Sequence, residues 1–151
     1  MDHENLKNQI LSLIPEAEFR ENKQFLEIIV PSAKLNSICK ELKNSGNTWF
    51  DYLFCLTAID WNDHFMMVYH LTSTKHNHTL VLKTRVDNHQ NPEVDTVSDI
   101  WRTAEFHERE VYDLFGIKFN NHPDPRRLFL EDDYGFPLRK DFTDEINMIV
   151  R

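Results

Sequence analysis

Apolar residues recur at helical spacing at the start of the chain. Leu6, Ile10, Leu13 and Ile14 share one side of a helix, with Asp2 placed to cap it and Pro15 to stop it. Phe19 with its neighbours, and then Phe25 to Val30, read as two strands around the polar turn Glu21-Asn22-Lys23. The second of these is too apolar for a solvent-facing edge and is expected to be buried. Pro31-Ser32 opens a second helix, in which Leu35, Ile38, Cys39 and Leu42 fall at i, i+3, i+4 and i+7, and Gly46 stands where a C′ glycine would end it. An aromatic-rich, partly extended stretch runs from Trp49 to Trp61, and Asp60 to His64 supplies turn residues. Phe65 to Leu71 alternates, as do Leu80, Leu82, Thr84 and Val86 against Lys83 and Arg85. Thr72 to Thr79 reads as a loop and Val86 to Val97 as a connection. Ser98-Asp99 is placed to cap a short helix, and Thr103 to Phe115 is the strongest helix, closed by Gly116.

This order predicts an α+β fold: a two-layer domain over residues 1–117 with helices packed on a mixed β-sheet, followed by an extended C-terminal strap over residues 118–151. The strap carries Arg126-Arg127, Glu131-Asp132-Asp133 and Arg139-Lys140-Asp141, with Leu128, Phe129, Leu130, Tyr134, Phe136 and Leu138 between the charges. Pro123, Pro125 and Pro137 discourage both helix and strand. Arginine interleaved with aromatic residues is the composition of protein–protein contacts, so the strap reads as a partner-binding tail. On the helix before it, Glu105, Arg109 and Asp113 form a column of alternating sign, with Glu108 and Tyr112 on an adjoining stripe; taken alone, such a column reads as a solvated ladder of ion pairs.

Composition narrows the function. Seventeen basic residues against 25 acidic ones leave a net charge of -8, which argues against nucleic acid as a partner. The two cysteines, Cys39 and Cys55, form no Cys-x-x-Cys pair, cannot by themselves ligate zinc or an iron–sulfur cluster, and read as reduced thiols. Three glycines cannot build a P-loop or a dinucleotide fingerprint, so neither ATP nor NADH is expected to bind. His107-Glu108 lacks the second histidine of a zinc motif, and no Gly-x-Ser-x-Gly elbow occurs. The polar N-terminus is unlike a secretory signal, and no apolar run approaches the ~20 residues of a membrane span. A free-standing hydrolase using His107 with Glu110 or Asp113 is the rival reading from a different class.

Glu108-Arg109-Glu110-Val111-Tyr112-Asp113-Leu114-Phe115-Gly116-Ile117, followed by His122-Pro123-Asp124, Arg126-Arg127 and Pro137-Leu138-Arg139-Lys140-Asp141, resembles the signature of the C-type (30 kDa) component of bacterial NADH:quinone oxidoreductase, respiratory complex I. Two departures are visible: Pro125 stands where the family commonly has leucine, and Phe136 where histidine is common. The resemblance implies a non-catalytic subunit of the peripheral arm, without cofactor or metal of its own. FMN, iron–sulfur clusters, NADH and quinone are then expected in partner subunits. It also implies a D-type partner that helps form the quinone pocket, neighbouring iron–sulfur subunits, and attachment to the cytoplasmic face of the membrane through partners only. The interface residues it implies are Glu108, Arg109, Glu110, Tyr112 and Asp113 on the helix, with His122, Asp124, Arg126, Arg127, Arg139, Lys140 and Asp141 in the strap. The equivalent subunit of a membrane-bound hydrogenase or of a ferredoxin-linked quinone-reducing complex is the alternative within the same architecture.

Overall fold

The computed structural model describes residues 3–20, 25–123 and 135–139. Helix α1 spans His3–Leu13, strands β1 and β2 span Glu18–Arg20 and Leu26–Val30, and α2 spans Leu35–Asn44 after a single 3₁₀ turn at Ser32–Lys34. Three long strands follow, β3 (Tyr52–Asp60), β4 (Phe65–Ser73) and β5 (His78–Val86). The chain then forms β6 (Glu93–Asp95), α3 (Ala104–Phe115) and β7 (Lys118–Asn120). Asp2 and the Glu21-Asn22-Lys23 turn lie outside the described residues. Among the described residues no helix is long and apolar enough to cross a membrane.

The large sheet has the order β1-β2-β5-β4-β3, with β2 parallel to β5 and the other pairs antiparallel, which makes it mixed. Alternate strand residues such as Ile28, Leu56, Met67, Tyr69 and Leu82 join one buried cluster with Leu6 and Ile10 of α1, Leu35 and Leu42 of α2, and Val111 and Phe115 of α3. All three helices therefore cover one face of the sheet. A bulge between Leu53 and Cys55 in β3 turns both Leu53 and Leu56 inward although they are three apart.

The structure corrects four of these expectations. The helix ending near Gly46 has no left-handed glycine cap: Ser45 is extended, Trp49 takes the positive φ of 44°, and the Thr48 hydroxyl (2.7 Å) and Phe50 amide (3.1 Å) donate to the Leu42 carbonyl instead. The loop expected over Thr72–Thr79 shrinks to residues 74–77, because Thr72 pairs with Thr79 and Ser73 with His78. Polar strand ends give no alternation to read, and the register of the pairing decides. Ser98-Asp99 begins a turn rather than a helix. The connection before it holds β6, which pairs in parallel with β7, so residues 118–120, expected in the strap, belong to the folded domain, and Phe119 joins its core.

Candidate functional site

Helix α3 and the segments on either side of it carry the candidate residues. The helix begins after Thr103, whose hydroxyl donates to the Leu53 carbonyl (2.8 Å) and so pins this end to β3. It ends at Gly116, whose φ of 76° is the left-handed conformation that glycine adopts without a Cβ penalty.

The charged column is not a solvated ladder. Glu108 and Asp113 are both fully buried, while Arg109, Glu110 and Tyr112 are half-buried. Eight residues of helix rotate about 80° past two whole turns, enough to carry a column that starts near solvent at Glu105 into the core at Asp113. Glu108 accepts hydrogen bonds from the Thr96 hydroxyl and, at 2.9 Å, from the Val97 amide, and so fastens the turn after β6 to the helix. Burial pushes its pKa up to about 7; the two hydrogen bonds oppose that shift and Asp99 adds to it. Just beyond β7, the Nε2–H of His122 donates to the Glu105 carbonyl (3.0 Å) and lies 3.7 Å from the Glu108 carboxyl, with the His122 side chain only 2% exposed. Glu108, Arg109, Tyr112, Lys118, Phe119 and His122 line a cleft of about 110 Å³.

The described part of the strap returns to the other end of α3. The Leu138 amide donates to the Leu114 carbonyl (2.9 Å), and the Arg139 guanidinium donates to the Phe115 carbonyl (3.3 Å). Both carbonyls lie in the last turn, where no intrahelical partner exists and a cation is favoured by the helix dipole. Phe136 sets its ring against Gly116 and edge-on to Tyr112, with ring centroids 5.7 Å apart. Arg139 also donates to the His89 carbonyl (2.7 Å) and to His89 Nδ1 (3.1 Å). That contact makes Nδ1 the acceptor, so Nε2–H donates to Asp60 (2.8 Å). The imidazole stacks on Phe65 at 4.5 Å, and the guanidinium lies 5.2 Å from the same ring. Arg139, expected at a partner contact, thus spends its fork on its own domain. Its replacement by alanine is expected to lower the stability of the isolated chain by about 2 kcal/mol, the scale of lost charge-assisted hydrogen bonds, measured by urea denaturation.

Among the expected site residues, Asp124, Arg126, Arg127, Lys140 and Asp141 lie outside the described residues. The structure brings Glu108, Arg109, Tyr112 and His122 together around one cleft and places Arg139 at the last turn of α3. Sequence reasoning misses Thr96 and His89 as their neighbours, because a short strand and a polar connection leave no periodic signal, and misses Asp60 and Phe65 because periodicity does not say what meets the ends of β3 and β4. Both cysteines are free thiols: burial raises the pKa of each, with Glu108 and Asp99 contributing at Cys39 and Glu110 at Cys55. Among the described residues no group of three or more His, Cys, Asp or Glu side chains could hold a metal ion.

The chain is 37% identical over 142 residues to the C-type component of NADH-quinone oxidoreductase from Moorella thermoacetica, covering 92% of this chain and 94% of that one. It is 46% identical over 122 residues to the C/D-type component of NADH-quinone oxidoreductase from Phocaeicola vulgatus, covering 80% of this chain but 23% of that protein. The chain thus spans about a quarter of such C/D-type relatives, 23% of the Phocaeicola vulgatus protein and 24% of the Bacteroides thetaiotaomicron one. Among solved structures, a chain of the membrane-bound sulfane sulfur reductase, an archaeal respiratory membrane complex, superposes with a TM-score of 0.82 at 31% identity, covering 95% of this chain and 86% of that one. The family model of the respiratory-chain NADH dehydrogenase 30 Kd subunit matches residues 28–146, from the buried strand β2 through α3 and across the strap. The chain belongs to that 30 kDa subunit family of respiratory complex I.

Proposed function

We propose that this chain is a non-catalytic subunit of the peripheral arm of a proton-translocating NADH:quinone oxidoreductase, and that its work is to hold the D-type subunit beside the quinone site. The observation that carries this reading is the double footing of the strap on α3. His122 fixes one foot at Glu105 and Glu108, and residues 136–139 fix the other at the end of the helix. Residues 124–134, with Arg126 and Arg127, join the two feet. A segment with both ends held loses less conformational freedom on meeting a partner than a free tail does. The C/D-type relatives, of which this chain matches about a quarter, support a D-type partner in particular. The electron-transfer groups, FMN, iron–sulfur clusters and quinone, then belong to partner subunits, which also supply the attachment to the cytoplasmic face of the membrane.

A second reading keeps the architecture and changes the machine. The superposition on a membrane-bound sulfane sulfur reductase chain supports an equivalent subunit in a ferredoxin- or hydrogenase-type complex. Affinity purification of the tagged chain from gently solubilised membranes separates the two. Recovery of flavin-bearing NADH-oxidising subunits together with a D-type subunit supports the first reading; a D-type subunit without them supports the second. Arg127→Ala is expected to cut recovery of the D-type subunit by about tenfold, the loss of one interface arginine, with the isolated chain's melting temperature unchanged. A large drop in melting temperature with normal recovery would count against the strap as a partner element.

A further inference from the structure

The strap's second foot rests on an imidazole whose protonation state is dictated by its neighbours. His89 has 10% of its side chain exposed and lies flat on Phe65, with the rings 2° from parallel. Its two nitrogens meet opposite demands. At Nε2 stands the Asp60 carboxylate, 2.8 Å away and itself 2% exposed, which only accepts. At Nδ1 stands the Arg139 guanidinium, 3.1 Å away, which only donates. One form of the ring answers both: the neutral imidazole with its proton on Nε2. A doubly protonated ring keeps Asp60 but points a second N–H at a guanidinium N–H, and sets two cations 3.1 Å apart. The guanidinium atom concerned is Nη2, which also donates to the His89 carbonyl at 2.7 Å. An Nη2 that retreats from the protonated ring leaves the carbonyl as well.

Among the described residues, Asp60 from β3 and Arg139 from the strap are the charged groups in contact with the ring. Phe65 of β4 and Phe115 of α3 meet each other edge-on beside it and carry no charge. Of the other charged groups on the surrounding elements, Arg85 and Asp87 pair with each other, Asp63 pairs with His64, and Asp113 is buried in the last turn of α3. We infer that Asp60, His89 and Arg139 form a proton-operated latch on the strap: a proton taken from water at His89 Nδ1 breaks the hydrogen bond from Arg139 and loosens the strap's second foot. Loss of that proton to water closes it again. The Phe136 ring on Gly116 and the Leu138 amide on the Leu114 carbonyl do not titrate, so the foot loosens from its residue 139 side. The latch belongs to this chain alone, but its consequence for a partner rests on the assembly reading above: a strap held at both feet in neutral solution is held less firmly in acid. Its sign is opposite to that of Glu108, whose burial costs least when the carboxyl is protonated.

Hydrogen exchange of the Leu138 and Arg139 amides tests the inference in the full isolated chain. These amides donate to the Leu114 and Phe136 carbonyls, and the amides of the central strand β5 report global opening for comparison. From pH 8 to pH 5, the interval in which histidine changes charge, protection of the two strap amides relative to β5 is expected to fall by about tenfold, the scale of one charge-assisted hydrogen bond. His89→Gln is expected to abolish that fall, since its carboxamide oxygen accepts from Arg139, its NH₂ donates to Asp60, and neither titrates. Nitrogen-15 shifts of the wild-type imidazole, which need no variant, are expected to show Nδ1 taking up its proton with the same midpoint as the loss of protection. A ring that takes up this proton while Leu138 and Arg139 stay protected overturns the inference, and so does an equal fall in His89→Gln. Failure of the D-type subunit to co-purify with the wild-type chain at any pH tells against the strap reading instead, and leaves standing a latch seen in the isolated chain.

Discussion

Gly116→Ala is expected to destabilise the folded chain by about 3 kcal/mol, combining a left-handed backbone penalty of about 1–2 kcal/mol with the overpacking of an aromatic contact. The backbone part follows from the φ of 76°, which brings any Cβ close to the following carbonyl. The packing part follows from the ring of Phe136: a Cβ on residue 116 would lie 2.7 and 2.9 Å from two of its carbons. The two parts separate in a double-mutant cycle by urea denaturation. In a Phe136→Ala background the cost of Gly116→Ala is expected to fall to the backbone penalty alone, a coupling of about 1–2 kcal/mol between the sites. Gly116→Asn reverses the emphasis, since asparagine tolerates the left-handed region but still brings a Cβ against the ring. Additive costs for Gly116→Ala and Phe136→Ala would mean that the ring does not seat on the glycine, and the strap's second foot would then rest on Leu138 and Arg139 alone.

Gly116 is legible in the sequence because a glycine after the last turn of a periodic helix has one common structural meaning. The same is true of α1, α2, α3 and the long strands, where spacing and burial agree over two or more repeats. Legibility ends where segments fall below one period. Glu93–Asp95 and Lys118–Asn120 are three residues each, and their parallel pairing joins parts of the chain that sequence proximity does not connect. Gly46 shows the opposite error: a glycine in the right place goes unused, because the Thr48 hydroxyl and the Phe50 amide already satisfy the end of α2.

At the site, the family signature falls on α3, but the charges on it suggest an outward face. Sequence records that a residue is charged and does not record whether a hydroxyl and an amide from elsewhere will meet it in the core. Glu108 is buried because Thr96 and Val97, on a stretch with the composition of a plain connection, supply those two donors. Arg139 looks like an interface residue for the same reason. A fork in a strap suits a partner's carboxylate, and nothing local announces that His89 and the end of α3 lie within its reach.

The buried carboxyl of Glu108 should make the isolated chain less stable in mild alkali than in mild acid, by about 3 kcal/mol from this group alone. In the unfolded chain the carboxyl has its ordinary value of 4.5; in the folded chain it is raised to about 7. Between those values the folded chain holds a proton that the unfolded chain has released. The group's full contribution is therefore present below pH 4.5 and is lost as pH rises through 7. Denaturation of wild type and Glu108→Gln at pH 5 and pH 8 isolates it. Glutamine keeps one oxygen, enough for one of the Thr96 and Val97 donors, which reach different oxygens of the carboxyl, and it has nothing to ionise. Its absolute stability is expected to fall at both pH values, but its stability should change less across this interval, and the difference in pH dependence between the two proteins measures the cost of the buried charge. Equal pH dependence in both would mean that Glu108 is already ionised in the fold, its burial offset by the Thr96 and Val97 donors together with His122 at 3.7 Å. The carboxyl would then be a permanent anion buried beside the strap's first foot.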